Sequence, residues 1–270
     1  MRIVSFNVNG IRSRLHQLQA VNETLNPDVV AVQESKVVDE AFPHEDVEAC
    51  GFPHQYVYGQ KTHYGVALLS KQPLKDVRYG FQWEGDEQQR RFIAATARQG
   101  RKDFHILNGY FPQGESRDHP VKFPAKKRYY ENILRYLEEN HTPKQRLCLV
   151  GDMNVAPEDS DIGIGADAHK RWLKTGKASF LPEEREWLAT LFDWGLTDTY
   201  AAQGPEPKLM SWFDYRSRGF EREPKRGLRI DLILASKAAA AALTKAGIDH
   251  DIRAGEKPSD HCPIWAEFSV

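Results

Sequence analysis

Polar residues able to bind a metal or move a proton recur in one context along this sequence, at or just beyond the ends of short apolar segments. The residues in this context are Asn7, Glu34, Asn108, Tyr110, Asp152, Asn154, Asp231, Asp260 and His261. Strand ends in a sheet protein meet at one edge and display their side chains from a rigid platform. Several carboxylates held that close together repel one another unless a cation is bound.

The donor types in this set predict a hard divalent cation. Mg²⁺ prefers carboxylate and amide oxygens and water, and the substrate phosphate often completes its shell. Zinc is disfavoured, because Cys50, Cys148 and Cys262 are far apart and form no CxxC pair. Each polar residue alone has an ordinary alternative: Asp152 could form a turn, and His261 could be a structural histidine.

An aspartate and a histidine in this set predict a second element of the same site. Asp231 could hold the His261 imidazole and favour its protonated form. An imidazolium beside a phosphate stabilises the negative charge that develops there. The sequence contains neither a GxSxG nucleophile elbow nor a GxxxxGK[ST] phosphate loop, so covalent serine catalysis and P-loop nucleotide hydrolysis are poorly supported.

Composition bounds the class of protein. The 270 residues carry a net charge of −1 and are 40% hydrophobic, which excludes wholesale disorder. The longest strictly apolar run, Ala238–Leu243, is far shorter than the roughly 20 residues of a spanning helix. With no apolar leader, the sequence predicts a soluble cytoplasmic protein without a membrane partner. Residues 208–229 hold seven bases against three acids; this segment could orient a polyanion or be a solvated surface.

The elements that must position these residues alternate along the whole chain. Strands are predicted at Arg2–Val8, Asp28–Gln33, Gly65–Ser70, Phe92–Ala97, Phe104–Phe111, Leu147–Gly151, Arg229–Ala235 and Pro263–Phe268. Helices are predicted at His16–Leu25, Phe123–Glu139 and Glu183–Trp194. Without a repeat, a linker or a shift in composition, the pattern predicts one α/β domain over residues 1–270, with two packed sheets and helices outside.

Longer motifs in the sequence resemble a known family. They are FNVNGIR (Phe6–Arg12), QESK (Gln33–Lys36), the segment Asn108–Arg128, GDMNVAP (Gly151–Pro157), DIGIG (Asp161–Gly165), the segment Lys170–Trp187, SWFDYRSRGF (Ser211–Phe220), RGLRIDLILAS (Arg226–Ser236) and EKPSDHCPIW (Glu256–Trp265). In this order and spacing they resemble bacterial exonuclease III, of the endonuclease/exonuclease/phosphatase superfamily. The resemblance covers essentially the whole chain.

The resemblance implies a four-layer α/β sandwich of two packed mixed β-sheets flanked by helices. It also implies a Mg²⁺-dependent nuclease of base excision repair, in which Mn²⁺ can substitute, and which acts as a monomer on double-stranded DNA. Such enzymes incise duplex DNA 5′ to abasic sites, remove 3′-blocking groups and degrade one strand from its 3′ end.

The resemblance also assigns residue roles. The implied metal ligands are Asn7, Glu34, Asp152, Asn154 and Asp260. The implied catalytic residues are Tyr110, Asp152, Asn154, Asp231 and His261. Asp152 would be the base that activates water, although the residues alone suit it equally as a metal ligand. Tyr110 would contact the phosphate, as a phenol or a phenolate, and His261 would bind the scissile phosphate.

A further set is implied to recognise DNA. It comprises Arg91, Gln113, Lys122, Lys126, Trp212, Arg216, Leu228 and His261. Trp212, Phe213, Leu228 and Ile230 resemble the family's pocket for an extruded sugar without a base. Without the resemblance, Trp212 would be a core aromatic about as readily.

Two other functions suit the same fold. A phosphatase of inositol phosphates or sphingolipids is disfavoured by the SWFDYR motif. A catalytically silent regulator that binds nucleic acid would have lost metal ligands, whereas this sequence keeps all of them.

Overall fold

The computed structural model describes residues 1–85, 88–100 and 102–269. The strands are β1 (Arg2–Asn7), β2 (Val29–Gln33), β3 (His54–Tyr58), β4 (Val66–Ser70), β5 (Lys75–Tyr79), β6 (Phe92–Gln99), β7 (Lys102–Tyr110), β8 (Leu147–Asp152), β9 (Leu196–Asp198), β10 (Asp231–Ser236), β11 (Leu243–Ile248) and β12 (Ile264–Phe268). The helices are α1 (Leu15–Leu25), α2 (His44–Ala49), α3 (Lys122–Asn140), α4 (Ala166–Lys174), α5 (Pro182–Trp194), α6 (Lys237–Ala240) and α7 (His250–Arg253). Within the described ranges, no helix is both long and apolar enough to cross a bilayer.

The strands form two six-stranded mixed sheets. The first has the order β11-β12-β1-β2-β4-β3, and the second has the order β5-β6-β7-β8-β10-β9. The pairs β1–β2 and β7–β8 are parallel, and the other pairs are antiparallel. Each sheet therefore contains one parallel pair among its central strands. The carboxyl ends of the two strands in each pair lie at the same edge of the sheet.

Side chains from the two sheets fill the space between them. Ile3 and Leu68 of the first sheet pack in one buried cluster with Ile106, Val150 and Ile233 of the second. A separate cluster joins the outer face of the first sheet to α1 and α2, and another joins the outer face of the second sheet to α3 and α5. The four-layer α/β sandwich predicted from the resemblance is thus confirmed.

A polar contact crosses the apolar layer beneath the edge where the predicted site residues lie. The Gln33 side chain donates from Nε2 to Asn108 Oδ1 at 2.7 Å, and Asn108 Nδ2 donates to the backbone carbonyls of Val32 and Ala67 at 3.0 Å. Both side chains are buried. Because a buried amide that loses its partners is costly, these bonds favour one alignment of the two sheets.

The predicted strands and helices are all present, with ends within a few residues of the prediction. Helix α5 begins with Pro182, which suits a first turn, and ends at Gly195 with φ 115°. Four strands were not predicted: β3, β5, β9 and β11. Each of these lies at an edge of its sheet.

Candidate active site

The alternation of side chains along a strand explains why polar residues gather at one edge. Ile3 of β1 and Val150 of β8 point into the layer between the sheets. Because side chains on one face recur every second residue, Asn7 and Asp152, at the ends of the same strands, lie on that same inner face. The inner face changes from apolar to polar where the strands reach the edge.

Strand register brings further residues into the same row. Asp152 lies opposite Tyr110 of β7 on one side and opposite Asp231 of β10 on the other. In the first sheet Asn7 lies opposite Gln33, and Glu34 follows β2 directly. The edge thus collects residues from both sheets, as the sequence predicted.

Asn7 links two carboxylates that belong to different sheets. Its Nδ2 donates to Glu34 Oε1 at 2.8 Å and to Asp152 Oδ2 at 3.0 Å. Glu34, Asp152 and His261 each offer a ligand atom, and these three atoms lie within 4.8 Å of one another. Two carboxylates at this separation are suitable oxygen donors for a hard divalent cation.

Two predicted metal ligands are engaged differently. Asn7 Oδ1 accepts the backbone N–H of Asn9 at 3.0 Å, so its amide presents nitrogen to the carboxylates in this arrangement and orients them. Asp260 lies outside the three-residue group: its two carboxylate oxygens accept from Asn9 Nδ2 at 2.8 Å and Trp212 Nε1 at 3.1 Å. Metal binding by Asn7, Glu34, Asp152, Asn154 and Asp260 stays a prediction.

His261 is held by a chain of buried hydrogen bonds. Its Nδ1 lies 2.9 Å from Asp231 Oδ2, and Ser211 Oγ donates to that same oxygen at 2.6 Å. Its Nε2 lies 3.8 Å from Asp152 Oδ2. With Nδ1 engaged by Asp231, the Nε2 nitrogen faces the edge where a substrate phosphate would bind.

The charges of this group are strongly coupled. Burial alone would lower the pKa of His261, but the carboxylates of Asp231 and Asp152 outweigh burial and raise it. Burial raises the pKa of Asp152, and the nearby carboxylates of Asp231 and Glu34 raise it further, against the opposing effect of His261. The site therefore favours an imidazolium beside an aspartate of increased basicity.

Tyr110 is a phenol in this arrangement. Burial raises its pKa well above the ordinary value, and the Glu34 carboxylate adds to that effect, while Arg91 opposes it. The phenolate form considered from the sequence is thus disfavoured, and the hydroxyl is a hydrogen-bond donor that interacts with the Glu34 side chain.

The backbone around the site is unusually strained. Asn9, Glu34, Lys36 and Asn154 all have positive φ, between 45° and 60°. Only a few per cent of residues other than glycine adopt such angles, and they cluster at functional sites. In Asn154 this conformation accompanies bonds from its backbone N–H to Asp152 Oδ1 at 3.0 Å and from Nδ2 to the Phe111 carbonyl at 2.9 Å.

A cavity of about 380 Å³ opens at this edge. Its lining includes polar residues, namely Glu34, Tyr110, Asp152, Asn154, Asp260 and His261, and the less polar residues Trp212, Leu228 and Ile230. Gln113 and Arg216 also line it. Phe213 does not, because it is fully buried in the core against Phe220; its prediction as a pocket residue was wrong.

The residues predicted to contact DNA differ in how exposed they are. Arg216 and Lys122 are exposed, although Lys122 is engaged with Glu115 at 2.5 Å. Arg91 is nearly buried, lies over the ring of Tyr110 and donates to its carbonyl at 3.1 Å. Lys126 is fully buried, so its prediction as a phosphate contact was wrong.

The sequence of the chain matches known proteins over nearly its whole length. A model of the Endonuclease/Exonuclease/phosphatase family matches residues 4–261. Exodeoxyribonuclease III of Haemophilus influenzae is 52% identical over 269 residues, 99% of this chain and 100% of that protein. The DNA repair nuclease APEX1 of Danio rerio is 30% identical over 276 residues, 100% of this chain and 83% of that protein. The chain belongs to the endonuclease/exonuclease/phosphatase family.

Solved structures agree with this membership. A 3′ phosphatase from Neisseria bound to a product DNA hairpin has a TM-score of 0.87 and 36% identity, and an AP endonuclease from Archaeoglobus fulgidus has 0.88 and 32%. Both alignments cover 100% of each chain. The predicted resemblance to exonuclease III is confirmed, and this member of the endonuclease/exonuclease/phosphatase family is a nuclease.

Sequence reasoning missed several residues that support the site. Ser211 orients Asp231, and Ser259 Oγ donates to the Asn7 carbonyl at 2.7 Å while accepting the His261 backbone N–H at 3.2 Å. Lys36 Nζ lies 2.9 Å from Glu34 Oε2. The available signal was that all three residues belong to the motifs quoted for the family, although none has a chemistry that distinguishes it alone.

Proposed function

We propose that this chain is a Mg²⁺-dependent DNA repair nuclease that hydrolyses phosphodiesters of double-stranded DNA. Its reactions would be incision 5′ to abasic sites, removal of 3′-blocking groups and degradation from 3′ ends. The observation that carries the proposal is that hydrolytic groups and apolar walls line the same cavity. A base-less sugar suits this cavity, because Trp212, Leu228 and Ile230 offer it apolar contacts and extruding it sacrifices less stacking than extruding an intact nucleotide.

Glu34 and Asp152 would hold the metal. Their carboxylates are close together, and burial, together with the carboxylates of Asp231 and Glu34, disfavours the ionised form of Asp152 and raises its pKa. A bound Mg²⁺ would add positive charge beside these carboxylates and act as a Lewis acid on the phosphate. The position between Glu34 and Asp152 therefore suits a cation by the chemistry of its donors.

The remaining steps belong to the protein. In states in which it does not bind the metal, Asp152, whose pKa is raised by burial, accepts the proton of an attacking water that Asn154 helps to orient. His261, held by Asp231 and Ser211, presents Nε2 to the phosphate as a charged donor. The Tyr110 hydroxyl donates to the same phosphate. These side chains are already held in place before the substrate binds. Little further free energy is therefore needed to position them during the reaction.

A labelled duplex tests the proposal. A 5′-labelled strand containing one abasic site, paired with its complement, is incubated with the protein in Mg²⁺ and in EDTA. We expect incision in Mg²⁺ alone, and loss of incision in Glu34→Ala with the fold retained. Glu139→Ala, which removes an exposed carboxylate of α3, serves as the control. Full activity of Glu34→Ala in EDTA would rule out the metal-dependent mechanism.

The same assay separates the alternatives. A phosphatase of soluble or lipid phosphoesters would release inorganic phosphate from such substrates and leave the abasic duplex intact. A silent regulator would bind the duplex without cutting it.

A further inference from the structure

The less polar residues of the catalytic cavity, Trp212, Leu228 and Ile230, form a pocket wall that belongs to neither sheet. Leu228 and Ile230 are buried in a small cluster of their own, against which Trp212 packs. Leu228 forms isolated bridges with Trp212 and with Ile162, and all four residues lie outside the twelve strands. Because no sheet ladder fixes this wall, other contacts must hold its shape.

Arg229, which lies between Leu228 and Ile230 in the chain, is held by two buried carboxylates. Its Nε and Nη2 donate to the two oxygens of Asp161 at 2.7 and 2.9 Å, and its Nη1 donates to Asp198 at 2.7 Å. The Arg229 side chain is only 1% exposed. A planar guanidinium that binds one carboxylate with two donors and a second carboxylate with a third donor is restricted to one orientation.

Asp161 extends this constraint to the segment that pairs with the pocket wall. Its carbonyl accepts the Arg229 backbone N–H at 3.0 Å, and its neighbour Ile162 forms the bridge to Leu228. The backbone N–H of Gly163 then donates to the carbonyl of Gly227 at 2.8 Å. Since these contacts follow one another along the two segments, a shift of the Asp161 side chain would also shift Leu228.

The catalytic end of the same segment is held by different groups. Ser211 Oγ accepts the backbone N–H groups of Ile230 and Asp231 at 3.1 and 3.0 Å, and the Ile230 carbonyl accepts the Met153 N–H at 2.9 Å. Asp231 therefore has its own support. The pair of Arg229 and Asp161 acts on the Leu228 end of the wall.

Stability alone is a weak reason for a buried ion pair. Burial by itself would lower the pKa of Arg229, but the Asp198 and Asp161 carboxylates outweigh burial and raise it, so the guanidinium stays charged. Apolar side chains of similar volume often stabilise a protein as well as a buried ion pair does, because removing charges from water is costly. A defined geometry is what the charged groups add here.

We propose that Arg229 is a positioning residue for abasic-site recognition, which with Asp161 sets the position of Leu228 and Trp212 against the extruded sugar. The inference rests on the proposed function. Neither Arg229 nor Asp161 lines the catalytic cavity, so the pair acts through the pocket wall. Incision at an abasic site should therefore depend on the pair more than hydrolysis of a terminal 3′-phosphate does, since the latter requires less distortion of the duplex.

Asp161→Asn tests the pair with little change in volume. The amide leaves one acceptor oxygen for Arg229 and removes the charge. We expect kcat/KM for abasic incision to fall roughly 10- to 100-fold, the effect of a displacement of about 1 Å, and removal of a 3′-phosphate to change much less. Asp159→Asn, the same substitution in an exposed carboxylate two residues earlier, should change neither activity. An equal fall in both activities of Asp161→Asn, or no fall, would overturn the proposal.

Fluorescence distinguishes a displaced wall from a general loss of stability. A duplex with 2-aminopurine beside the abasic site, bound in EDTA, reports the unstacking that accompanies extrusion. Asp161→Asn should bind this duplex with a smaller increase in fluorescence than wild type. Leu137→Ala removes a buried side chain of α3 from another cluster and should lower stability while keeping the wild-type increase. An unchanged increase in Asp161→Asn, or an equal reduction in Leu137→Ala, would contradict the proposal.

Arg229→Lys separates geometry from charge. Lysine keeps the positive charge but lacks the planar set of donors that binds both Asp161 oxygens and Asp198 together. The ratio of abasic incision to 3′-phosphate removal should fall as in Asp161→Asn, and the double variant Arg229→Lys/Asp161→Asn should lose less than the sum of the single losses. A wild-type ratio in Arg229→Lys would show that charge suffices and would overturn the positioning role.

These outcomes differ from those expected if the proposed function fails. If wild type neither binds nor cuts the abasic duplex, the function itself is wrong. If wild type cuts it in Mg²⁺ while Asp161→Asn behaves like Asp159→Asn, only the positioning role is wrong.

Discussion

Lys126 and Glu184 form an ion pair in which neither side chain reaches solvent, and the same ammonium donates to the Asn154 carbonyl at 2.8 Å. Glu184 in turn accepts the backbone N–H groups of Ser179 and Leu181, both at 2.8 Å. The pair therefore joins α3 to the start of α5 and holds the loop that carries Asn154. Lys126 therefore supports the site indirectly, by holding the loop that carries Asn154.

Replacing Lys126 should cost more than replacing its neighbour. Lys126→Met leaves the Glu184 carboxylate buried without its partner, and breaking such a pair costs about 3–5 kcal/mol. Lys127→Met, in an exposed lysine of the same helix, should cost less than about 0.5 kcal/mol. Urea denaturation measures both. The double variant Lys126→Met/Glu184→Leu should be more stable than Lys126→Met; a further loss in the double variant would contradict a paired role.

Asp152→Asn should lower the activity and raise the stability of the protein. The amide keeps the shape but cannot accept a proton, so kcat should fall at least 10²–10⁴-fold, the range for loss of a general base. Because burial and neighbouring carboxylates disfavour the charged form, removing the charge should raise the unfolding temperature measured in EDTA. DNA affinity should persist or increase. An active variant, or one with a lower unfolding temperature, would count against this account.

His261 and Asp231 should behave as one unit. Each single alanine variant should lose much of the activity, and the double variant should lose less than the sum of the two free-energy changes. Single-turnover rates on the abasic duplex give these values. Ser211→Ala should cause a smaller loss, because it removes the bond that orients Asp231 rather than either member of the pair. Strict additivity of His261→Ala and Asp231→Ala would show that they act independently.

Trp212→Ala should affect abasic incision more than removal of a terminal 3′-phosphate. Aromatic contact with an extruded nucleotide is worth about 1–3 kcal/mol, so incision should weaken by roughly tenfold or more. A terminal phosphate requires less distortion of the duplex. The two activities are compared on matched duplexes, with circular dichroism to check folding. An equal loss in both by a folded variant would mean that Trp212 positions DNA generally.

Stability should depend on pH through a histidine pair remote from the catalytic edge. The rings of His105 and His141 lie 4.9 Å apart. Burial, followed by the effect of His105, lowers the pKa of His141 to about 4, from 6.5. The unfolded chain therefore takes up this proton first as pH falls, so the stabilisation is complete above about pH 6.5 and declines toward pH 4.

His141→Asn should reduce this decline. Urea unfolding at a series of pH values between 4 and 7 gives the slope of stability against pH. His63→Asn, in an exposed histidine, should keep the slope of the wild-type protein. The same slope in all three proteins would contradict a role for His141.

The sequence predicted the interior of the fold better than its edges, for a physical reason. The residues of β2 and β4 are all buried, so their sequences VVAVQ and VALLS are nearly continuous apolar runs. The edge strand β5, KDVRY, is mostly exposed and carries charges that suit an unpaired edge. Helix α4 is nine residues long and buries none of them, and its sequence, ADAHKRWLK, has only two large apolar side chains, so the apolar pattern that predicts a helix is short.

The sequence predicted which types of residue form the site, but it did not predict how buried each one is or which partner it contacts. Glu34, Asp152 and His261 have side chains that can bind a metal or a proton. Each lies near the end of an apolar segment, which is a pattern that the sequence shows. Lys126 and Arg216 are both basic residues in segments of the family motifs, yet one is fully buried and the other exposed. The partner that decides this difference, Glu184, lies 58 residues along the chain from Lys126, a separation that no local pattern reports.

The strand β1 lies between β2 and β12, so the edge that carries Asn7 and Glu34 is completed by the last strand of the chain. A protein still being synthesised already contains Glu34 but has not yet acquired His261. Until that histidine has left the ribosome and β12 has paired with β1, the charged groups remain apart. The charged groups of the candidate site therefore cannot come together before His261 and β12 have been synthesised.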